Sequence, residues 1–187
     1  MATTRFAPSP TGYLHIGGLR TALYSYLWAR KTDGKFRLRI EDTDTQRNND
    51  EAMKAIIEAF DWVGLNYDDE VEYQSKRLDT YKKYINQLLD EGKAYKCYMS
   101  REDLDALREE QMANKQTPKY DETWRPEVGK VLPTIPEDSQ YVVRIKAPKE
   151  GVITFNDGVK SIMNFDCNEV DDFVIARSNG MPTYNFV

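Results

Sequence analysis

Two hydrophobic periods alternate along the N-terminal half of the chain. A short apolar start at Arg5-Phe6-Ala7 runs through Pro8, Ser9, Pro10, Thr11 and Gly12 into a helical pattern. There Leu19, Leu23, Tyr26 and Leu27 fall on one stripe. Asp33-Gly34 is expected to close that helix. Phe36, Leu38 and Ile40 then alternate with Arg37, Arg39 and Glu41, a period of two that predicts a strand with one apolar face. Strand, helix and strand at this spacing predict a βαβ unit with a parallel pair and a right-handed crossover. Asn48 or Asn49 is expected to cap a further helix carrying Met53, Ile56, Ile57 and Phe60 and stopping at Gly64. Ser75 is expected to cap another, with Leu78, Tyr81, Ile85, Leu88 and Leu89 as its buried face and Gly92 as its stop.

The pattern changes near Ala94. Ala94–Met99 reads as a short strand, and Ser100-x-x-Asp103 opens a charged helix through about Met112 with a capping-box pattern. Residues 114–139 are rich in proline, poor in apolar residues and without a period, which predicts an extended surface loop, functional or mobile. Strands return at Tyr141–Lys146 and at Val152–Phe155, the latter turned by Asn156-Asp157-Gly158. Phe173–Arg177, Ser178–Gly180 and Thr183–Val187 predict a terminal hairpin. Its second strand ends on Phe186-Val187 with no polar cap, as an interrupted core would, so a piece of a longer protein is expected.

Composition narrows the class. The 187 residues are 40% hydrophobic and 30% charged, a balance suited to one full core or a core with a small inserted module, and unlike that of a disordered chain. No apolar run is long enough to span a bilayer, and the N-terminus lacks a signal-peptide pattern; a cytoplasmic protein with no membrane partner is expected. Cys97 and Cys167 are far apart and neither belongs to a C-x-x-C pair, so no disulfide framework or metal site is predicted. A net charge of −5 gives no global attraction to nucleic acid, although binding needs only a local basic patch.

Two segments can carry chemistry. Ser9–Gly18 is either a plain strand-to-helix turn or a polyphosphate loop, since unpaired N–H groups at a helix start and paired glycines allow close approach of an anion. Glu41, Asp42 and Asp44 follow the second strand, where open α/β sheets place their ligand crevice. They are either part of that crevice or a solvated acidic turn, with Arg37, Arg39 and Arg47 available as partners. A lone histidine near a helix start, such as His15, can equally be a cap or a surface residue.

Arg5-Phe6-Ala7-Pro8-Ser9-Pro10-Thr11-Gly12 with His15-Ile16-Gly17-Gly18, then Arg39-Ile40-Glu41-Asp42-Thr43-Asp44, then Gly180-Met181-Pro182-Thr183-Tyr184-Asn185-Phe186 resemble the N-terminal part of the bacterial glutamyl-tRNA synthetases. These are class I aminoacyl-tRNA synthetases, and the resemblance covers the whole chain. It implies an α/β fold: a Rossmann-like nucleotide-binding half-domain over residues 1–93, an inserted α+β acceptor-stem-binding module over 94–172, and a return to the catalytic sheet over 173–187. It further implies ATP with Mg²⁺, L-glutamate and tRNA as partners, in a ligase that forms glutamyl-adenylate and transfers glutamate to the tRNA 3′ end.

On that resemblance Arg5, Ala7, Ser9, Glu41 and Tyr184 bind glutamate. Ser9, Pro10, Thr11, Gly12, His15, Ile16, Gly17 and Gly18 form the nucleotide loop, with His15, Gly17 and Gly18 as its catalytic members, while Asp44 and Arg47 face the tRNA end. Gly18 stands where the general class I pattern has histidine. Relatives with zinc use Cys-x-Cys pairs; here Met99 occupies the position two after Cys97 and no second pair precedes Cys167, so no zinc is expected. The family's lysine-rich second nucleotide motif and anticodon region are expected beyond Val187, so that the 187-residue chain alone should be inactive. The alternatives are a shortened relative that loads glutamate onto a modified tRNA base, and a non-catalytic tRNA-binding adaptor.

Overall fold

The computed structural model describes residues 1–43 and 48–187, and the chain divides into two compact units, Met1–Leu78 and Asp79–Val187. In the first, β1 (Thr3–Phe6), α1 (Ile16–Lys31), β2 (Lys35–Ile40), α2 (Asp50–Val63) and β3 (Glu72–Tyr73) follow in order, and a 3-10 turn over Gln74–Arg77 ends the unit. The strands form one parallel sheet in the order β1-β2-β3, with Phe6 opposite Leu38 and Ile40 opposite Tyr73. This is the expected βαβ arrangement, a Rossmann-like α/β topology.

Alternation along β2 places Phe36, Leu38 and Ile40 wholly inside, and the helices close over that face. Phe36 stacks on Phe60 of α2 with ring centroids 6.1 Å apart and meets Tyr26 of α1 edge-on at 5.6 Å. On the other face Arg37 pairs with Asp69 at 2.9 Å. Asn49 caps α2 by accepting the N–H groups of Glu51 and Ala52, and Gly64 ends it in the left-handed conformation, as the spacing predicts.

Three details differ from the sequence expectation. α1 buries Ala22 and Ala29, with Leu19 and Tyr26 packed beside them, whereas Leu23 and Leu27 are exposed. Two alanines let the helix backbone press close to the sheet, which rotates the larger leucines outward. At the end of α1, Asp33 takes the left-handed conformation (φ 51°), and Gly34 is required for a different reason. A Cβ on Gly34 would collide with the Ala2 backbone, whose carbonyl accepts the N–H of Lys35. Ser75 is not a helix cap: it lies within the 3-10 turn and donates its hydroxyl to Asp42 at 2.6 Å.

The second unit contains the body of α3 (Leu78–Asp90), then β4 (Ala94–Cys97), α4 (Arg101–Ala113), β5 (Val142–Ile145), β6 (Val152–Asp157), β7 (Ser161–Asp166) and β8 (Val174–Ala176). β4, β5 and β8 form an antiparallel sheet, and β6 and β7 form a separate hairpin. Ser100 caps α4 by accepting the Asp103 N–H at 3.0 Å, as its capping-box pattern predicts. Residues 114–139 carry no helix or strand, but the segment is not wholly a surface loop: Tyr120, Trp124 and Arg125 are buried. The terminal hairpin is reduced to a single bridge between Ala176 and Pro182, after which Phe186 N–H bonds back to Thr183. The Thr183 carbonyl, which would continue the ladder, instead accepts the N–H groups of Phe186 and Val187, so Thr183–Val187 is a turned segment and not the predicted strand.

Residue 94 and β8, which pairs with β5, both belong to the second unit. Among the described residues no helix is long and apolar enough to cross a membrane.

Candidate functional site

The segment after β1 is anchored at both ends by backbone hydrogen bonds. Glu41, immediately after β2, donates its N–H to the Pro8 carbonyl at 2.9 Å, and Asn49 donates its N–H to the Pro10 carbonyl at 3.0 Å. Asn49 therefore both caps α2 and holds the loop. Pro10 is buried, while Ser9, Thr11 and Gly12 remain exposed on a backbone whose course is set by these ties.

His15 is the N-cap of α1, with extended backbone angles (φ −98°, ψ 166°), and its Nδ1 accepts the N–H of Gly17 at 3.1 Å. The helix start satisfies one orphan donor through a histidine ring, and the positive end of the helix dipole faces the preceding loop. His15 is thus a cap, and it also lines a cavity of about 340 Å³ together with Ser9, Thr11, Gly12 and Gly18. Phe6 and Ile56 supply part of the apolar wall. No spacing signal pointed to Ile56 as a wall residue, because it reads only as the buried face of α2.

Other predicted residues stand elsewhere. Arg5 is exposed on β1, Ala7 is half-buried, and Ile16 is exposed at the first turn of α1; none of the three lines this cavity. Gly17 acts through its N–H and its bare Cα against the His15 ring. Tyr184 is exposed in the second unit. Asp44 and Arg47 lie outside the described residues.

Beyond the ends of β2 and β3 the acidic segment is internally compensated. Glu41 accepts from Arg39 at 2.8 Å, with both side chains largely buried, and more distantly from Gln74 at 3.4 Å. Asp42, also buried, accepts the N–H and hydroxyl of Ser75 at 2.8 and 2.6 Å, and its carbonyl accepts from Asn48 at 2.6 Å. Glu41 and Asp42 are thus neither a solvated turn nor a mutually repelling pair. Of the expected cationic partners, Arg39 serves Glu41 while Arg37 turns to Asp69 and Glu72. Asp42 and Ser75 are 33 positions apart, and nothing in either local pattern announces the pairing.

The second unit is held by a buried ionic centre. Asp172 accepts from Tyr95 Oη at 2.7 Å, from Arg125 Nη1 at 2.7 Å and from the Ala147 N–H at 2.9 Å. Arg144 donates to the Asp172 carbonyl and lies over the Tyr120 ring, 3.9 Å from its centroid. Burial pushes the Asp172 carboxyl up, but the Tyr95 hydroxyl, the Arg125 guanidinium and the Ala147 N–H outweigh it and hold the carboxyl below its ordinary range. Burial and then the Asp172 carboxylate push the Tyr95 phenol strongly up, so it stays a donor. This centre binds the irregular 114–139 segment to the sheet. Among the described residues no group of three or more His, Cys, Asp or Glu side chains could hold a metal ion.

Comparison with known proteins gives this arrangement a family. The sequence profile of the tRNA synthetases class I (E and Q), catalytic domain, matches residues 1–187. Over its full length the chain is 74% identical to glutamate–tRNA ligase 1 of Aliarcobacter butzleri and 66% identical to glutamate–tRNA ligase 2 of Nitratiruptor sp., covering 40% of each. The crystal structure of a glutamate tRNA ligase from Elizabethkingia meningosepticum in complex with its amino acid matches with a TM-score of 0.83 at 38% identity, over 99% of this chain and 40% of that one. The chain thus spans about 40% of the length of these relatives. Matched from its first residue to its last by the family profile and built on the parallel βαβ frame, the chain belongs to the class I tRNA synthetases of the glutamate and glutamine group, within their catalytic domain.

Proposed function

We propose that this chain is the N-terminal part of a glutamate–tRNA ligase that works in the cytoplasm. The observation that carries the reading is the cavity at the start of α1, where a tethered Pro/Ser/Gly loop, a capping histidine and a helix N-terminus converge. The α-carboxylate of glutamate attacks the α-phosphorus of ATP, pyrophosphate leaves with its Mg²⁺, and glutamyl-adenylate forms. A terminal ribose hydroxyl of the tRNA then attacks the glutamyl carbonyl and releases AMP. His15 and the N–H groups of the loop supply preorganised donors where negative charge grows, and Gly17 and Gly18 leave room for the nucleotide.

In this reading Arg5 pairs with the side-chain carboxylate of glutamate, for which a planar bidentate donor is suited. Ser9 and the Ala7 backbone hold the amino acid, and Tyr184 donates to it. Glu41 receives the ammonium group; because Arg39 already bonds Glu41, the ammonium joins an existing ion pair. Asp44 and Arg47 are assigned to the tRNA 3′ end. Residues 1–93 are assigned to the first half of the nucleotide domain, 94–172 to the inserted acceptor-stem module, and 173–187 to the return to the catalytic sheet.

The site needs groups from the remainder of a full-length ligase. Calorimetric titration tests this with two proteins: the 187-residue chain, and a chimera in which the chain replaces the matching segment of the Aliarcobacter butzleri ligase. The chimera is expected to bind glutamate in the presence of ATP, and the chain alone to give no glutamate heat. Equal binding by both would contradict the half-site reading, and a silent chimera would contradict the assignment to glutamate.

A further inference from the structure

The two nitrogens of the His15 ring have different roles. Because Nδ1 accepts the Gly17 N–H at 3.1 Å, it presents a lone pair, and in the neutral ring the proton is then on Nε2. Nε2 itself makes no hydrogen bond to the described residues. The ring lies so close to Gly17 that a Cβ there would stand 2.9 Å from His15 Cε1 and 3.1 Å from Nδ1. Gly18 differs: its added Cβ would meet the movable end of Leu14 at 2.8 Å and nothing of the imidazole.

We propose that Gly17 is a positioning residue for His15, its N–H and its missing side chain together holding the imidazole in the Nε2–H form with a donor left for a ligand. An imidazole lone pair directed at a phosphate oxygen would repel it, whereas an N–H bonds it. The assignment rests on the nucleotide reading above only for the identity of that acceptor. The tautomer is a property of the ligand-free chain, set by the helix cap.

His15 is the sole histidine of the sequence, so uniform ¹⁵N labelling, which also labels the Gly17 amide, still yields one pair of imidazole ring-nitrogen signals. Measured at about pH 8.5, well above the ordinary imidazole value of about 6.5, the folded chain is expected to show a nitrogen–nitrogen coupling between Nδ1 and the Gly17 amide. Its Nε2–H fraction should also exceed that of the same chain unfolded in urea. In Gly17→Ala the coupling should vanish and the fraction return to the unfolded value, while Gly18→Ala should keep both. A folded chain with no coupling and the unfolded tautomer ratio would overturn the proposal, as would a Gly17→Ala protein that retains both. Adding ATP and Mg²⁺ to a chimera labelled, by ligation, only in its first 187 residues tests the acceptor separately: an Nε2 signal that does not move would remove the nucleotide reading, whereas an unbiased tautomer ratio removes the cap assignment.

Discussion

Replacing Asp172 with asparagine is expected to lower the stability of the second unit by about 3–5 kcal/mol, the cost of breaking a buried ion pair and leaving Arg125 with the half-exposed Glu127, 2.9 Å away, as its hydrogen-bonded carboxylate. The carboxylate is fully buried and accepts from Tyr95, Arg125 and the Ala147 backbone, and Arg125 is itself buried. An amide in its place brings no charge and turns an N–H₂ toward groups that donate. Since a domain has only about 5–15 kcal/mol in total, the urea midpoint of this unit should fall steeply. The exposed Arg101–Asp105 pair on α4, 3.8 Å apart, is a useful contrast: Arg101→Ala should change stability by no more than about 1 kcal/mol. A comparably small change for Asp172→Asn would show that the centre contributes nothing special.

The same carboxylate gives an acid dependence of defined sign. Asp172 is held below its ordinary pKa, so the unfolded chain binds its proton more readily than the folded one. Its contribution is complete above an unfolded value of about 3.9 and is lost as pH falls through the lower folded value. Asp172→Asn should flatten that acid limb of the urea midpoint against pH.

Changing Arg5 to leucine in the chimera is expected to reduce kcat/KM for glutamate by about 30- to 5,000-fold, the loss of about 2–5 kcal/mol for a charge-assisted pair to a bound carboxylate. Arg5 is exposed, and its side chain makes no hydrogen bond or ion pair to the described residues, so the fold does not depend on that side chain. Thermal stability should therefore stay within about 0.5 kcal/mol of the parent while activation collapses. If activation of glutamate were unchanged, the carboxylate would be read elsewhere.

Much of the first unit was legible because its signals are local. Phe36, Leu38 and Ile40 form a clean period of two, and Asn49 and Gly64 bracket α2 with standard cap chemistry. The buried face of α1 was not legible, since Ala22 and Ala29 weigh less in any hydrophobic pattern than Leu23 and Leu27, yet their small size is what brings the helix to the sheet. β7 carries no strand signal in the sequence because Ser161, Asn164 and Asp166 interrupt its apolar positions, and its partner β6 supplies the ladder. The site divides the same way. His15 and its glycines form a contiguous motif, whereas Asp42 with Ser75 and Arg125 with Asp172 meet across 33 and 47 positions, where no local period connects them.

The measurement closest to the central claim is ATP–pyrophosphate exchange by the chimera. Exchange that requires both glutamate and its tRNA, and that is not supported by glutamine in place of glutamate, is the predicted result. Exchange indifferent to the amino acid, or none from a chimera that folds and binds tRNA, would contradict it.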